Sequence, residues 1–357
     1  MTPGDVRLLA ASALFSAAGA AVHYVGAGKV VPFVVTAVAL GALAAVVGRS
    51  VDRLGDRLGP GTTGVVQSAL GNLPELFVGV FALRAGLVGV VQAALVGSVL
   101  ANVLLVLGLA FVVGGVRHGT QHFVGEDARN MALLLVLSVA VLMIPGVSVH
   151  LGVAVAAHEQ ALSDVAAVVL LALFGLAIPA SLSAGVTGGV AATPVDPAGD
   201  PAPATWPLSL VVAVLLVSSV AAAFVSDWFV AALAPALGAL HMSQAFAGLV
   251  VVAIAGNAVE NVVGIQLAAR DRADYALSVI LQSPVQIALA LFPALVLLSP
   301  LLGGAHLTLV LPPLLLVVSA VSAVVAALVV FDGQSTWLEG ACLIGLYTVI
   351  ATAFWWG

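Results

Sequence analysis

The chain is a succession of apolar runs, most of them long enough to cross a lipid bilayer, separated by stretches that hold most of its charge. A helix needs about 20 apolar residues to span the hydrocarbon core, and backbone polar groups there must be satisfied within the segment. That leaves an all-α, polytopic membrane protein as the fold class, with the lipid bilayer as its solvent. The composition agrees, since 62% of the 357 residues are hydrophobic and only 7% are charged, far from an ordinary globular domain.

Eleven transmembrane helices are expected, at about residues 8–26, 30–48, 62–83, 87–113, 130–149, 160–181, 208–233, 244–269, 274–298, 307–331 and 337–356. The first run has only Arg7 as a nearby basic residue and no small-x-small cleavage pattern, so it reads as a retained helix rather than a signal peptide. Residues 183–207, rich in Pro, Gly, Ala and Thr, read as a cytoplasmic linker.

Inside these runs one pattern occurs twice. Gly71-Asn72-Leu73-Pro74-Glu75-Leu76 is echoed by Gly256-Asn257-Ala258-Val259-Glu260-Asn261. The offset of 185 residues also pairs Ser98 with Ser283, which marks an internal repeat. The chain then divides into an extra N-terminal helix (1–29), a first five-helix repeat (30–182), the linker (183–207) and a second five-helix repeat (208–357). Because five is odd, the second repeat enters the membrane inverted, as in many secondary transporters.

Loop charge orients this arrangement. The N-terminus and every second connection carry Arg7, Arg49, Arg53, Arg57, Arg117, Arg129, Arg270 and Arg272, against Lys29 and Arg84 on the other side. The positive-inside rule then places the N-terminus in the cytoplasm and the C-terminus outside. An Ala- and Val-rich composition in which Arg outnumbers Lys hints at a GC-rich bacterial genome, so a bacterial cytoplasmic membrane is expected. The net charge of −6 is spread over loops, so no nucleic-acid partner is expected. Cys342 is the only cysteine, which excludes an internal disulfide and a thiolate metal cluster.

Glu75 and Glu260 fall at membrane depth, where an ionisable side chain costs about 2.5–3.5 kcal/mol or more and is by default functional. Residues three apart project from nearly one face of a helix, so Asn72 joins Glu75 and Asn257 joins Glu260. Carboxylates and amide carbonyls are the oxygen ligands a hard cation such as calcium takes. Ser98, Ser283 and Gln286 are second-tier oxygens, and Asn102 shares a face with Ser98. Gln92 and Gln286 either line the path or bond helices together. Pro74 either kinks its helix passively or breaks it so that backbone oxygens join the site. Carboxylates close together away from water favour protons once the cation has left.

These motifs, with Val91-Gln-Ala-Ala-Leu-Val-Gly-Ser98 through Asn102-Val-Leu-Leu-Val-Leu-Gly108, resemble the signature repeats of the calcium/proton exchangers within the calcium/cation antiporter superfamily. Supporting stretches are Leu58-Gly-Pro60, Gln121-His-Phe123, Ala161-Leu-Ser163 and Gln286-Ile-Ala-Leu289. The resemblance implies an antiporter without a resident cofactor, in which Glu75 and Glu260 carry calcium and protons by turns, with Asn72 and Asn257 beside them. This sequence departs from the family pattern at Pro74, at Asn261 where a His is common, and at Arg49 where a Glu is frequent. A sodium/calcium or other divalent-cation exchanger on the same scaffold is the alternative within transport, and a cation channel or non-transporting membrane protein the alternative outside it.

Two further constellations stand apart. His118, His122 and Glu126 are spaced four apart, a pattern that could hold a metal on one helix, but Gly119 and Gly125 argue for a loop. Asp227 reads as a solvated interfacial acid or a guide for cations at the outer mouth.

Overall fold

The computed structural model describes the backbone of residues 1–58, 70–123, 125–183 and 206–356, and their side chains except at 55–58, 125–127, 155, 178–183 and 258–260. The described chain is helical almost throughout. In order the helices are α1 (Pro3–Val25), α2 (Val31–Leu58), α3 (Leu73–Arg84), α4 (Val88–His118), α5 (Gly125–His150) and α6 (Glu159–Ser183). There follow α7 (Leu208–Leu240), α8 (Gln244–Gly256), α9 (Ala258–Ala268), α10 (Ala273–Leu301), α11 (Pro313–Phe331) and α12 (Trp337–Trp355). Among the described residues nine of these are long and apolar enough to cross a membrane, and α8 with α9, bent by 66°, adds a tenth if the pair is one span. The start of the third expected span, residues 62–69, and most of the linker lie outside the described residues.

Some boundaries differ from expectation for local reasons. The second helix does not stop at Gly48 but continues to Leu58, carrying Arg49 and Asp52 on a helical end. The tenth run, expected to begin at residue 307, becomes helical only at Pro313. Pro312 and Pro313 are the cause, because a residue before proline is pushed out of the helical region. Residues 307–312 instead form an irregular connector bent at Leu309, where the Leu311 N–H donates to the Leu309 carbonyl, with Leu307, Leu309 and Leu311 all buried.

That connector is tied down by polar groups from several helices. Gln92 Nε2 on α4 donates to the carbonyls of Thr308 and Val310, both at 3.1 Å. The Leu309 N–H donates to Ser163 Oγ on α6 at 3.1 Å, and His150 Nε2 on α5 lies 2.9 Å from the Leu311 carbonyl. These partners replace the backbone bonds that an irregular segment forgoes.

The interior is built by close helix crossings. The α2 and α7 helices pack along one another, α7 also covers α3, and α2 covers α8 and α9. Across the middle α4 crosses α8 so tightly that a Cβ on Gly97 would fall 2.4 Å from the Leu249 backbone, and one on Gly248 2.5 Å from the Val90 carbonyl. Small residues permit such approach between membrane helices. The result brings Ser98 on α4 beside the helix that leads into the second motif. The α1 helix lies at the edge, fastened by the buried Asp5, whose carboxylate meets Arg49 Nε at 3.0 Å and Trp206 Nε1 at 3.2 Å.

Candidate ion-binding site

Both motifs sit where a helix starts rather than inside a continuous one. Asn72, with φ −94° and ψ 21°, precedes α3, and Asn257, with φ −95° and ψ 18°, precedes α9. The same distortion thus occurs at positions 185 residues apart. Pro74 occupies the first turn of α3, where its missing N–H has no helical partner to lose. Val259 stands at the equivalent position in α9 and the break is the same, so proline is not its cause. Glu75 therefore lies in the first turn of a helix.

The Glu75 carboxylate reaches the second motif. A Cβ on Gly256 would lie 2.6 Å from Glu75 Oε1, so glycine there leaves the room that the carboxylate fills. Glu75 is 8% exposed, and its Oε2 is buried without a hydrogen-bond partner. It lines a cavity between α3 and α4 with Val78, Val91, Leu95, Ser98 and Val252. The Glu260 side chain lies outside the described residues, although the backbone of α9 around it is described.

Amides and hydroxyls surround this point. Asn72 Nδ2 donates to Gln286 Oε1 on α10 at 3.2 Å, leaving Asn72 Oδ1 buried without a partner. Asn257 Nδ2 donates back to the Ala253 carbonyl at 3.0 Å, while Asn257 Oδ1 accepts from Ser283 Oγ at 2.9 Å. Asn102 Nδ2 donates to the Ser98 carbonyl at 2.8 Å, and Asn102 Oδ1 has no partner either. Asn102 lies in a π-helical turn of α4, Ala101–Val106, and Gln286 directly precedes one in α10, Ile287–Leu291. Such turns are rare and frequent at functional sites.

Buried oxygens without donors are costly unless something positive meets them. Here one carboxylate and several amide oxygens are of the ligand type a hard cation requires. Asn261 Oδ1, at the position where the sequence departs from the family pattern, is a further buried oxygen without a partner. Gln92 stands apart from this group, bonded to the connector ahead of α11. The three-residue pattern of His118, His122 and Glu126 does not form one helical face. His118 ends α4 against the Ala269 carbonyl, His122 lies in a two-residue strand, and the Glu126 side chain is outside the described residues.

A helical membrane bundle with a buried carboxylate at paired helix starts defines the class of a transporter. The sequence profile of the sodium/calcium exchanger protein family matches residues 29–182 and 210–356. The Ca(2+)/H(+) antiporter ChaA of Bacillus subtilis (strain 168) is 34% identical over 352 residues, covering 97% of each chain. A Ca(2+)/H(+) antiporter of Synechocystis sp. is 31% identical over 94% of this chain and 93% of its own. Among solved structures, native YfkE superposes with a TM-score of 0.80 at 29% identity, over 96% of this chain and 99% of that one. The chain belongs to the sodium/calcium exchanger protein family.

Proposed function

We propose that this protein exchanges calcium for protons across a membrane by alternating access, at one site shared by Glu75 and Glu260 with Asn72 and Asn257 beside them. The observation that carries this reading is the Glu75 carboxylate packed on Gly256 of the other motif, with its second oxygen unpartnered. A carboxylate from one half then stands at the helix break of the other, so one cation would be held by both. Protons replace the cation's charge when it leaves, and occupancy by one or the other gives exchange. Ser98, Asn102, Ser283 and Gln286 supply neighbouring oxygens.

The family profile is compatible with sodium as the counter-ion, but the relatives matched over nearly the whole chain are antiporters of calcium and protons. The architecture that suits this reading is eleven spans, α1 followed by two inverted five-helix repeats covering 30–182 and 208–357 and joined by the 183–207 linker. It is supported by the matched break at Asn72 and Asn257 and by the two profile matches on either side of the linker.

Contacts between connectors support the same count. Ala305 N–H donates to the Leu83 carbonyl, and Ser243 meets Phe354, each pairing segments that eleven alternating spans put on one side. Asp5 with Arg49 and Trp206, and Gln121 with Asp271, do so on the other side, which the basic residues assign to the cytoplasm. The N-terminus is then cytoplasmic and the C-terminus outside, in a bacterial cytoplasmic membrane.

The test uses purified protein in liposomes enclosing a pH dye, with calcium, sodium, magnesium or manganese added outside. Calcium-driven proton movement that Glu260→Gln lowers about 10- to 100-fold is the expected result. Calcium entry coupled to sodium, or to nothing, would overturn it.

A further inference from the structure

The connector between α4 and α5 buries a side chain that the ion site does not use. Gln121 is 2% exposed although it lies outside the spans. Its Nε2 donates to the Ala268 carbonyl at the end of α9, and to Asp271 Oδ1, both at 3.1 Å. His118 Nε2 lies 3.0 Å from the next carbonyl, that of Ala269. The last carbonyls of a helix lack partners within it, so these donors complete the end of α9 where the chain turns through Asp271 at φ 61°. Gly114 supplies the notch, since a Cβ there would fall 1.8 Å from Gln121 Oε1. The strand Gln121–His122 pairs with Gln334–Ser335, which anchors the clasp to a second connector.

The other motif helix is held in a related way. Residues 304–306 are the 185-residue counterparts of 119–121, and there the Ala305 N–H donates to the Leu83 carbonyl near the end of α3 at 3.1 Å. Each motif helix is thus gripped, at the end away from its motif, by the equivalent connector of the other half.

We propose that Gln121 is a positioning residue for ion exchange. By holding the C-terminal end of α9 it sets where that helix presents Asn257 and Glu260 at its other end. An eleven-residue helix is about 16 Å long and stiff along its axis, so an axial shift at Ala268 is delivered to the motif. The inference rests on the exchange reading given above, and it adds a residue that touches no ion.

The experiment uses full-length protein reconstituted in liposomes, with calcium as the probe, for wild type, Gln121→Leu, Gln121→Ala, Gly114→Ala and the double variant Gln121→Ala/Gly114→Ala. Wild-type calcium-driven proton movement tests the exchange reading by itself. Gln121→Leu is expected to raise the half-saturating calcium concentration about three- to tenfold, the worth of one or two lost hydrogen bonds, with the maximal rate changed less than about twofold. Gly114→Ala does the same by displacing Gln121, and adds nothing once Gln121 is alanine. Hydrogen–deuterium exchange gives a readout independent of transport: amides of residues 258–272 exchange faster in Gln121→Leu, while those of 73–84 do not. Should Gln121→Leu fail to fold, Gly114→Ala carries both measurements. An unchanged half-saturation with only lower yield or thermal stability, or equal exchange in both segments, overturns the proposal. If the wild type moves no protons while 258–272 alone loosens, the exchange reading falls and the clasp on α9 stands.

Discussion

The helices α3 and α9 begin at the same backbone distortion and yet hold their motif amides differently. Asn72 reaches across to Gln286 in the other half of the chain, whereas Asn257 turns back on Ala253 and takes a hydroxyl from Ser283 in its own half. The sequence reason is one position: Gln286 has Ala101 as its 185-residue counterpart. Two copies of one motif therefore share a geometry but not a support, and the first depends on the second repeat more than the reverse.

The comparison can be broken at its strongest point by removing the acids. Glu75→Gln and Glu260→Gln are each expected to lower calcium-driven proton flux by about 10- to 100-fold, the scale of a lost charged contact away from water. A variant that keeps wild-type flux would show that its acid is not part of a shared site. Gly256→Ala comes next, with about tenfold lower flux, because the new Cβ must push Glu75 out of a gap of 2.6 Å. Recovery of flux with Gly256→Ala at higher calcium would show displaced rather than lost ligands.

Smaller effects sharpen the asymmetry. Gln286→Leu should raise half-saturating calcium by about three- to tenfold and Ser283→Ala by less, since the hydroxyl is lost from an amide that keeps its bond to Ala253. Equal effects in a calcium titration would mean that the two amides are supported alike. Smallest in transport is Gln92→Leu, which leaves two carbonyls without their side-chain donor and should cost about 1–3 kcal/mol of stability. Thermal unfolding in detergent reads that loss, while flux per folded molecule stays near wild type.

Much of this was legible from residues alone. The apolar runs, the doubled Gly-Asn-x-x-Glu pattern and the one-sided arginines are periodic or compositional signals, and they survive any detail of packing. Pro74 shows where such reading stops: residues alone left open whether it kinks its helix passively or breaks it, and the equal distortion ahead of Val259 shows that the break does not need a proline. The irregular segment before Pro313 was hidden for a related reason: Leu307, Leu309 and Leu311 are as apolar as a helix requires, and only polar partners on α4, α5 and α6 satisfy the backbone of a non-helical path.

What the sequence by itself determined is the solvent of the protein, its helical class and the residue types at its acidic motifs, since bilayer thickness and the cost of buried charge act on local composition. Only the tertiary structure decided which groups meet. That Glu75 lies on Gly256, that Gln121 closes the end of α9 and that Asp5 ties α1 to Arg49 and Trp206 are contacts between residues about 44 to 201 positions apart. No local pattern encodes such pairs, because they depend on how closely whole helices can approach, and that is set by the packed bundle.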